Sequence, residues 1–245
     1  MLKKILKAVI FLGIIAIIGF IAIHFSKSEK EMLCSGVHVT VLDTSHGKYI
    51  DEKDINKLLV KNKLNPEGIL LKDVSIAKIE QELRKNPLVD DVTCYKTPSG
   101  KIGIDIQQRI PLLKIYGIKS EQYYIDNKGK RMPKGTKSTQ PTLVASGNIS
   151  EELAKKEIYQ FAQWLQKETF WNNQIEQVYV VTPKDIELIP RVGNHVIYIG
   201  DFKQHEEKLD RLKIFYDKVI SQVGWNKYSK INIEFENQII CTKAK

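Results

Sequence analysis

Residues 83–117 read LRKNPLVDDVTCYKTPSGKIGIDIQQRIPLLKIYG, and the periodicity of this stretch decides the fold. Asn86-Pro87 stops whatever helix precedes it, because the residue before a proline is pushed out of the helical region. Val89–Tyr95 and Lys101–Gln108 then read as two strands, joined by Thr97-Pro98-Ser99-Gly100, whose Pro and Gly favour chain reversal. Ile102, Ile104 and Ile106 form a clean period-2 face. Working back towards the N-terminus, Ile76, Ile79 and Leu83 stand at helical spacing from about Ser75. Asn65-Pro66-Glu67-Gly68 is a strong breaker, and Asp51 offers an N-cap to a helix carrying Ile55, Leu58 and Leu59. The alternating stretch 37–42 (VHVTVL) supplies a first strand. The order β-α-α-β-β predicts a small sheet with two helices on one side.

Beyond Pro111 the pattern continues in strands and hairpins. Tyr123–Lys130 predicts a strand and an Asx/Gly turn. Ser150 caps a helix with Glu151 and Glu152 in its first turn and Ile158, Phe161, Ala162 and Leu165 along its apolar stripe. Trp164 reads as part of that core. Phe170-Trp171 at the helix end reads as packing on the sheet, with an exposed patch as the other option. Strands are expected at 175–182, 185–190 and 195–200. A last helix carries Leu209, Leu212, Tyr216 and Val219 and stops at Gly224. Ile231, Ile233 and Phe235 alternate, and Gln238-Ile239-Ile240-Cys241 follows. The fold class is therefore α+β, with a second, strand-rich module that ends in an edge strand.

The N-terminus sets the compartment. Ala8–Phe25 (AVIFLGIIAIIGFIAIHF) has no formal charge with His24 neutral, and as a helix it is roughly 27 Å long, enough to cross a hydrocarbon core. Lys3, Lys4 and Lys7 precede it, while Lys27, Glu29, Lys30 and Glu31 beyond it balance. That bias predicts an uncleaved single-pass anchor with 1–7 in the cytoplasm and the bulk of the chain outside. A cleaved signal peptide is the alternative. It is disfavoured by the length of the apolar run and by His24-Phe25-Ser26-Lys27, a poor cleavage site.

The 245 residues carry 38 Lys+Arg against 29 Asp+Glu, a net charge of +9, and 42% are hydrophobic. This excludes a disordered or low-complexity chain. Setting aside the three tail lysines leaves +6, interleaved with acids as in KSEKE, DEKD and HEEKLDRLK, with no basic stripe of the kind that binds nucleic acid. The three cysteines (34, 94, 241) form no CxxC pair, zinc spacing or disulfide scaffold, and those within strands read as buried apolar groups. The five histidines include no HExxH, and GxSxG and Walker A sequences are absent. No catalytic residue, metal or cofactor is expected.

Within the opening stretch, Leu83, Pro87 and Val89, the hairpin, and Gln108-Arg109-Ile110-Pro111 resemble the second half of a POTRA domain, with Gln108 in place of the usual Glu. Taken with the anchor, the strand-rich second module, Tyr124-Ile125-Asp126-x-x-Gly129, Ile199-Gly200-Asp201, the helix RLKIFYDKV and Ile231-Asn232-Ile233-Glu234-Phe235, the whole chain resembles the bacterial division family FtsQ/DivIB. Its short tail and its ending resemble the Bacteroidota version. The resemblance implies a cytoplasmic tail 1–7, a membrane helix 8–25, a linker 26–34, a POTRA domain 35–111 and a β-domain 112–245. The implied role is a non-catalytic inner-membrane scaffold at the division septum, with its bulk in the periplasm. It would bind FtsB-like and FtsL-like partners and link them to the septal wall synthases.

The resemblance also implies that partners dock by strand addition at Glu234, Phe235, Glu236, Asn237, Gln238, Ile239, Ile240 and Cys241. Phe235 would cover a partner side chain, and the backbone of 237–240 would supply ladder bonds. Glu234 stands where a basic residue is common, which turns the expected partner charge towards Lys or Arg. An ordinary core-facing strand is the plain reading of the same segment. Two other functions compete. A POTRA-bearing handler of exported polypeptides would normally show repeated units or a barrel, and a wall-modifying enzyme needs a catalytic constellation. Neither feature is present in the sequence.

Overall fold

The computed structural model describes residues 11–20, 32–45, 47–118, 121–133 and 142–245, which divide into two units, Met1–Gln108 and Arg109–Lys245. The expected tail 1–7, most of the linker 26–34 and both ends of the expected membrane helix 8–25 lie outside the described residues. Of that helix, 11–20 is described and helical, with Phe11, Leu12, Ile14, Ile15, Ile17, Ile18 and Phe20 exposed. Among the described residues no helix is long and apolar enough to cross a membrane. Ten residues rise about 15 Å, half of a hydrocarbon core.

In the first unit, β1 (Val37–Val41), α1 (Glu52–Lys61), α2 (Ile76–Leu83), β2 (Val89–Lys96) and β3 (Ile102–Gln108) follow in the expected order. Asp51 and Asp54 form a reciprocal capping box that starts α1. The sheet order is β1-β3-β2, with β1 parallel and β2 antiparallel to β3. Ile102, Ile104 and Ile106 meet Ile55, Leu59, Ile79 and Leu83 in one core. Met32–Cys34, expected at the end of a linker, belong to this unit instead. The Cys34 amide bonds the Ile69 carbonyl at 2.8 Å, Leu33 bridges Leu70, and the Cys34 side chain is buried in the core.

The second unit contains β4 (Pro111–Tyr116), β5 (Gln122–Asp126), β6 (Arg131–Met132), β7 (Leu143–Gly147), β8 (Ile175–Thr182), β9 (Asp185–Pro190), β10 (Val196–Gly200), β11 (Tyr228–Asn232) and β12 (Ile240–Lys243). They make one sheet in the order β12-β11-β10-β9-β8-β7-β4-β5-β6. Three helices join them. Helix α3 runs through Glu151–Leu153, a π turn Ala154–Ile158 and Tyr159–Lys167. Helix α4 is Thr169–Gln174. Helix α5 runs through His205–Phe215, a π turn Tyr216–Ile220 and Ser221–Val223.

Ile115, Ala145, Val178, Leu188, Ile197 and Ile231 share one core with Phe161, Leu165, Trp171, Leu209 and Leu212. The π turn in α5 admits one extra residue, so Ile220 is buried and the expected Val219 only half-buried. Trp164 is likewise half-buried. Trp171 is buried while Phe170 is exposed under Lys213. Arg109, expected with the first unit, is tied into the second by an ion pair from Nε to buried Asp126 at 2.7 Å and by bonds to the carbonyls of Lys130 and Arg131.

Candidate functional site: the C-terminal sheet edge

The C-terminal part of the chain builds one end of the nine-stranded sheet. Gly200 closes β10 with a φ of +74°, and a Cβ there would sit 3.0 Å from the Glu234 side chain, so glycine lets Glu234 lie against the strand end. Helix α5 fixes this corner from above. Lys208, buried, donates from Nζ to the carbonyls of Ile199 and Asp201 at 3.0 Å and pairs with the Asp201 carboxylate at 3.3 Å. One turn on, Arg211 donates from Nη2 to the carbonyls of Ile233 and Phe235 at 3.3 and 3.0 Å. Two cations on one helix face thus satisfy carbonyls that leave the sheet at the ends of β10 and β11.

The eight expected docking residues do not form one strand. Glu234–Ile239 make the turn between β11 and β12, and only Ile240 and Cys241 lie in the edge strand. The alternation of Ile231, Ile233 and Phe235 therefore breaks in space. Ile231 and Ile233 are buried, and Phe235 is 43% exposed. The causes are polar: the Glu234 amide donates to Asn232 Oδ1 at 2.9 Å, and Arg211 draws in the carbonyls on either side of Glu234. Glu236, Asn237 and Gln238 are exposed, whereas Ile239 and Cys241 pack partly on the core. Ile240, 46% exposed, faces away from it.

Backbone direction follows from the register. The Ile233 amide bonds the Tyr198 carbonyl across to β10, so Ile231 and Ile233 point their backbone groups that way and Lys230 and Asn232 point theirs towards β12. Their partners Thr242 and Ile240 return the bonds, which aims the Cys241 backbone outwards. Phe235, on the turn, and Ile240, in β12, are both exposed. Glu236 of the turn joins Gln204, Glu207, Lys208 and Arg211 in lining a cavity of about 220 Å³. The arrangement suits the capture of an extended chain.

The model of the family described as "FtsQ/DivIB, C-terminal related" matches residues 110–242, and that of a "POTRA-like domain" matches 32–107. The chain belongs to the FtsQ/DivIB family. Its members are non-catalytic scaffolds, and membership places the chain with the cell-division proteins. No curated protein matches it. The α+β organisation expected from the sequence, a POTRA-like unit followed by a strand-rich sheet with helices, is the one observed. Within this FtsQ/DivIB fold, Arg211 and Lys208 are the positions that sequence reading missed. Their carbonyl partners outside the helix lie 7 to 24 residues away along the chain, so no local pattern marks them.

Two titratable groups elsewhere, Cys94 and His195, are buried. Burial, with Glu80 adding, pushes the Cys94 thiol up to about 12, so it holds its proton. His195 is buried, with Nε2 2.6 Å from the Tyr216 hydroxyl and Trp225 stacked over the ring. Among the described residues no group of three His, Cys, Asp or Glu could hold a metal ion.

Proposed function

We propose that this FtsQ/DivIB chain is a single-pass scaffold of the divisome, anchored in the inner membrane through 8–25 with its tail 1–7 in the cytoplasm. The POTRA-like unit and the sheet then lie in the periplasm at the septum. There the chain captures FtsB-like and FtsL-like partners by strand addition and so links them to the septal wall synthases. The observation that carries this reading is β12, a short terminal strand whose Cys241 backbone points outwards beside exposed Phe235 and Ile240. An unguarded edge of this kind either adds a strand or risks aggregation. Sharing one bilayer with its partners raises their effective concentration, so a modest interface suffices.

This reading divides the contact among the residues of the expected segment 234–241. Cys241 supplies backbone bonds, Phe235 and Ile240 supply apolar contacts, and Glu236–Gln238 form the rim. The reading assigns no reaction and no cofactor. Its test is a crosslinked pull-down from native membranes, comparing the full chain with one ending at Ile233. Small bitopic coiled-coil proteins that co-purify with the full chain and disappear on truncation support it. Retention of those proteins by the truncated chain refutes the edge assignment. Their absence from both preparations refutes the scaffold role.

A further inference from the structure

The first unit also has a strand edge, and its own helix covers it. The amide of Ile102 bonds the Gly36 carbonyl and the amide of Leu42 bonds that of Ile106, so the even-numbered isoleucines of β3 turn their backbone groups to β1. Gly103, Asp105 and Gln107 accordingly serve β2 through Tyr95, Thr93 and Asp91. Val92 and Cys94 are left pointing outwards from the edge. These are the groups an added strand would use, and side chains already hold three of the four. Glu80 Oε1 accepts the Cys94 amide at 2.8 Å. Arg84 Nη2 donates to the Val92 carbonyl at 2.9 Å, and Asp91 Oδ1 accepts the Val92 amide at 2.8 Å.

Glu80 and Arg84 are four apart at the end of α2 and face each other at 3.7 Å, and Arg84 also reaches Asp91 at 3.3 Å. Carboxylate meets N–H and guanidinium meets C=O, each with the correct polarity. The geometry points to a latch: Glu80 and Arg84, on α2, close the β2 edge of the POTRA-like unit to strand addition, and an incoming strand is admitted only when both side chains leave. Strand addition at the β2 edge is thereby blocked. The latch itself stands on bonds within the first unit, independently of any partner proposed for β12.

The test uses the full chain in detergent, with residue-resolved amide exchange and sedimentation over a concentration series. The double variant Glu80→Ala, Arg84→Ala exposes the edge, and a second copy of the same chain is the strand it meets. At low concentration exchange of the Cys94 amide rises about tenfold, the value of one lost hydrogen bond, and as concentration rises the chain associates with itself and the added strand covers that amide again. Protection of the Thr93 and Tyr95 amides, bonded to β3, reports that the fold is intact. The swapped variant Glu80→Arg, Arg84→Glu keeps the helix ion pair but offers a donor to an N–H and an acceptor to a carbonyl. It therefore keeps the fold while opening the edge, and it associates in the same way. Unchanged Cys94 exchange, or a swapped variant that sediments like the unaltered chain, overturns the latch.

Discussion

The buried side chain of Gln108 receives the Tyr49 amide on Oε1 at 3.0 Å and donates from Nε2 to the carbonyls of Asp43 and Gly47 at 2.5 and 2.6 Å. A carboxylate has no hydrogen for either carbonyl and would place negative charge against both. The Asp43 and Gly47 carbonyls require the amide that this chain carries at 108. Gln108→Glu is expected to lower the unfolding free energy by about 1–3 kcal/mol, read by chemical denaturation. An equal or higher stability would contradict this role. His195 supplies a second expectation. Burial pushes its protonation below the ordinary 6.5, against a smaller upward pull from the Trp225 backbone. The unfolded chain then takes up a proton that the folded chain resists. The stabilisation is complete above the unfolded value and is lost as pH falls towards the folded one. His195→Gln should flatten the fall in stability between about pH 7.5 and 5.5, and an unaltered slope would assign that fall to other groups.

The elements differ in how far local pattern reveals them. Helices α1 and α2 and the hairpin β2–β3 follow from spacing and turn residues alone, because each is completed by neighbours close in the chain. Strand β11 is legible to Asn232 and no further. The pattern Ile231, Ile233, Phe235 runs on, but the Asn232 side chain and distant Arg211 bend the backbone out of the sheet. The resulting position of Phe235, exposed on a turn whose carbonyl is held by a cation, is what an interface anchor needs: a ring offered to solvent on a fixed frame. Phe235→Ala should weaken capture of the FtsB-like partner by about 2 kcal/mol or more while folding is retained. A folded variant that binds normally would remove Phe235 from the interface.

Among the described residues two cores form that share no residue, and each lies in a stretch matched by its own family description. The hairpin of the first unit was legible from its breaker and turn residues, but the boundary was not, since Arg109, expected with the first unit, is tied into the second. Neither was the order of strands in the second unit. Alternation tells which face of β4, β7 or β8 is apolar but says nothing about which strand lies beside it. Parallel pairs β4·β7, β7·β8 and β10·β11 join segments separated by helices or by a hairpin. Those pairings also bear on how the molecule forms. A parallel ladder cannot begin until its crossover has been traversed, so each of these contacts must wait for loop closure over tens of residues. During that wait β8 and β10, each paired on one side with β9, leave their other edges open, and β7 has no partner until β4 or β8 reaches it. The second unit is thus expected to fold more slowly than its helix content suggests, and to aggregate most readily before the middle of its sheet has closed.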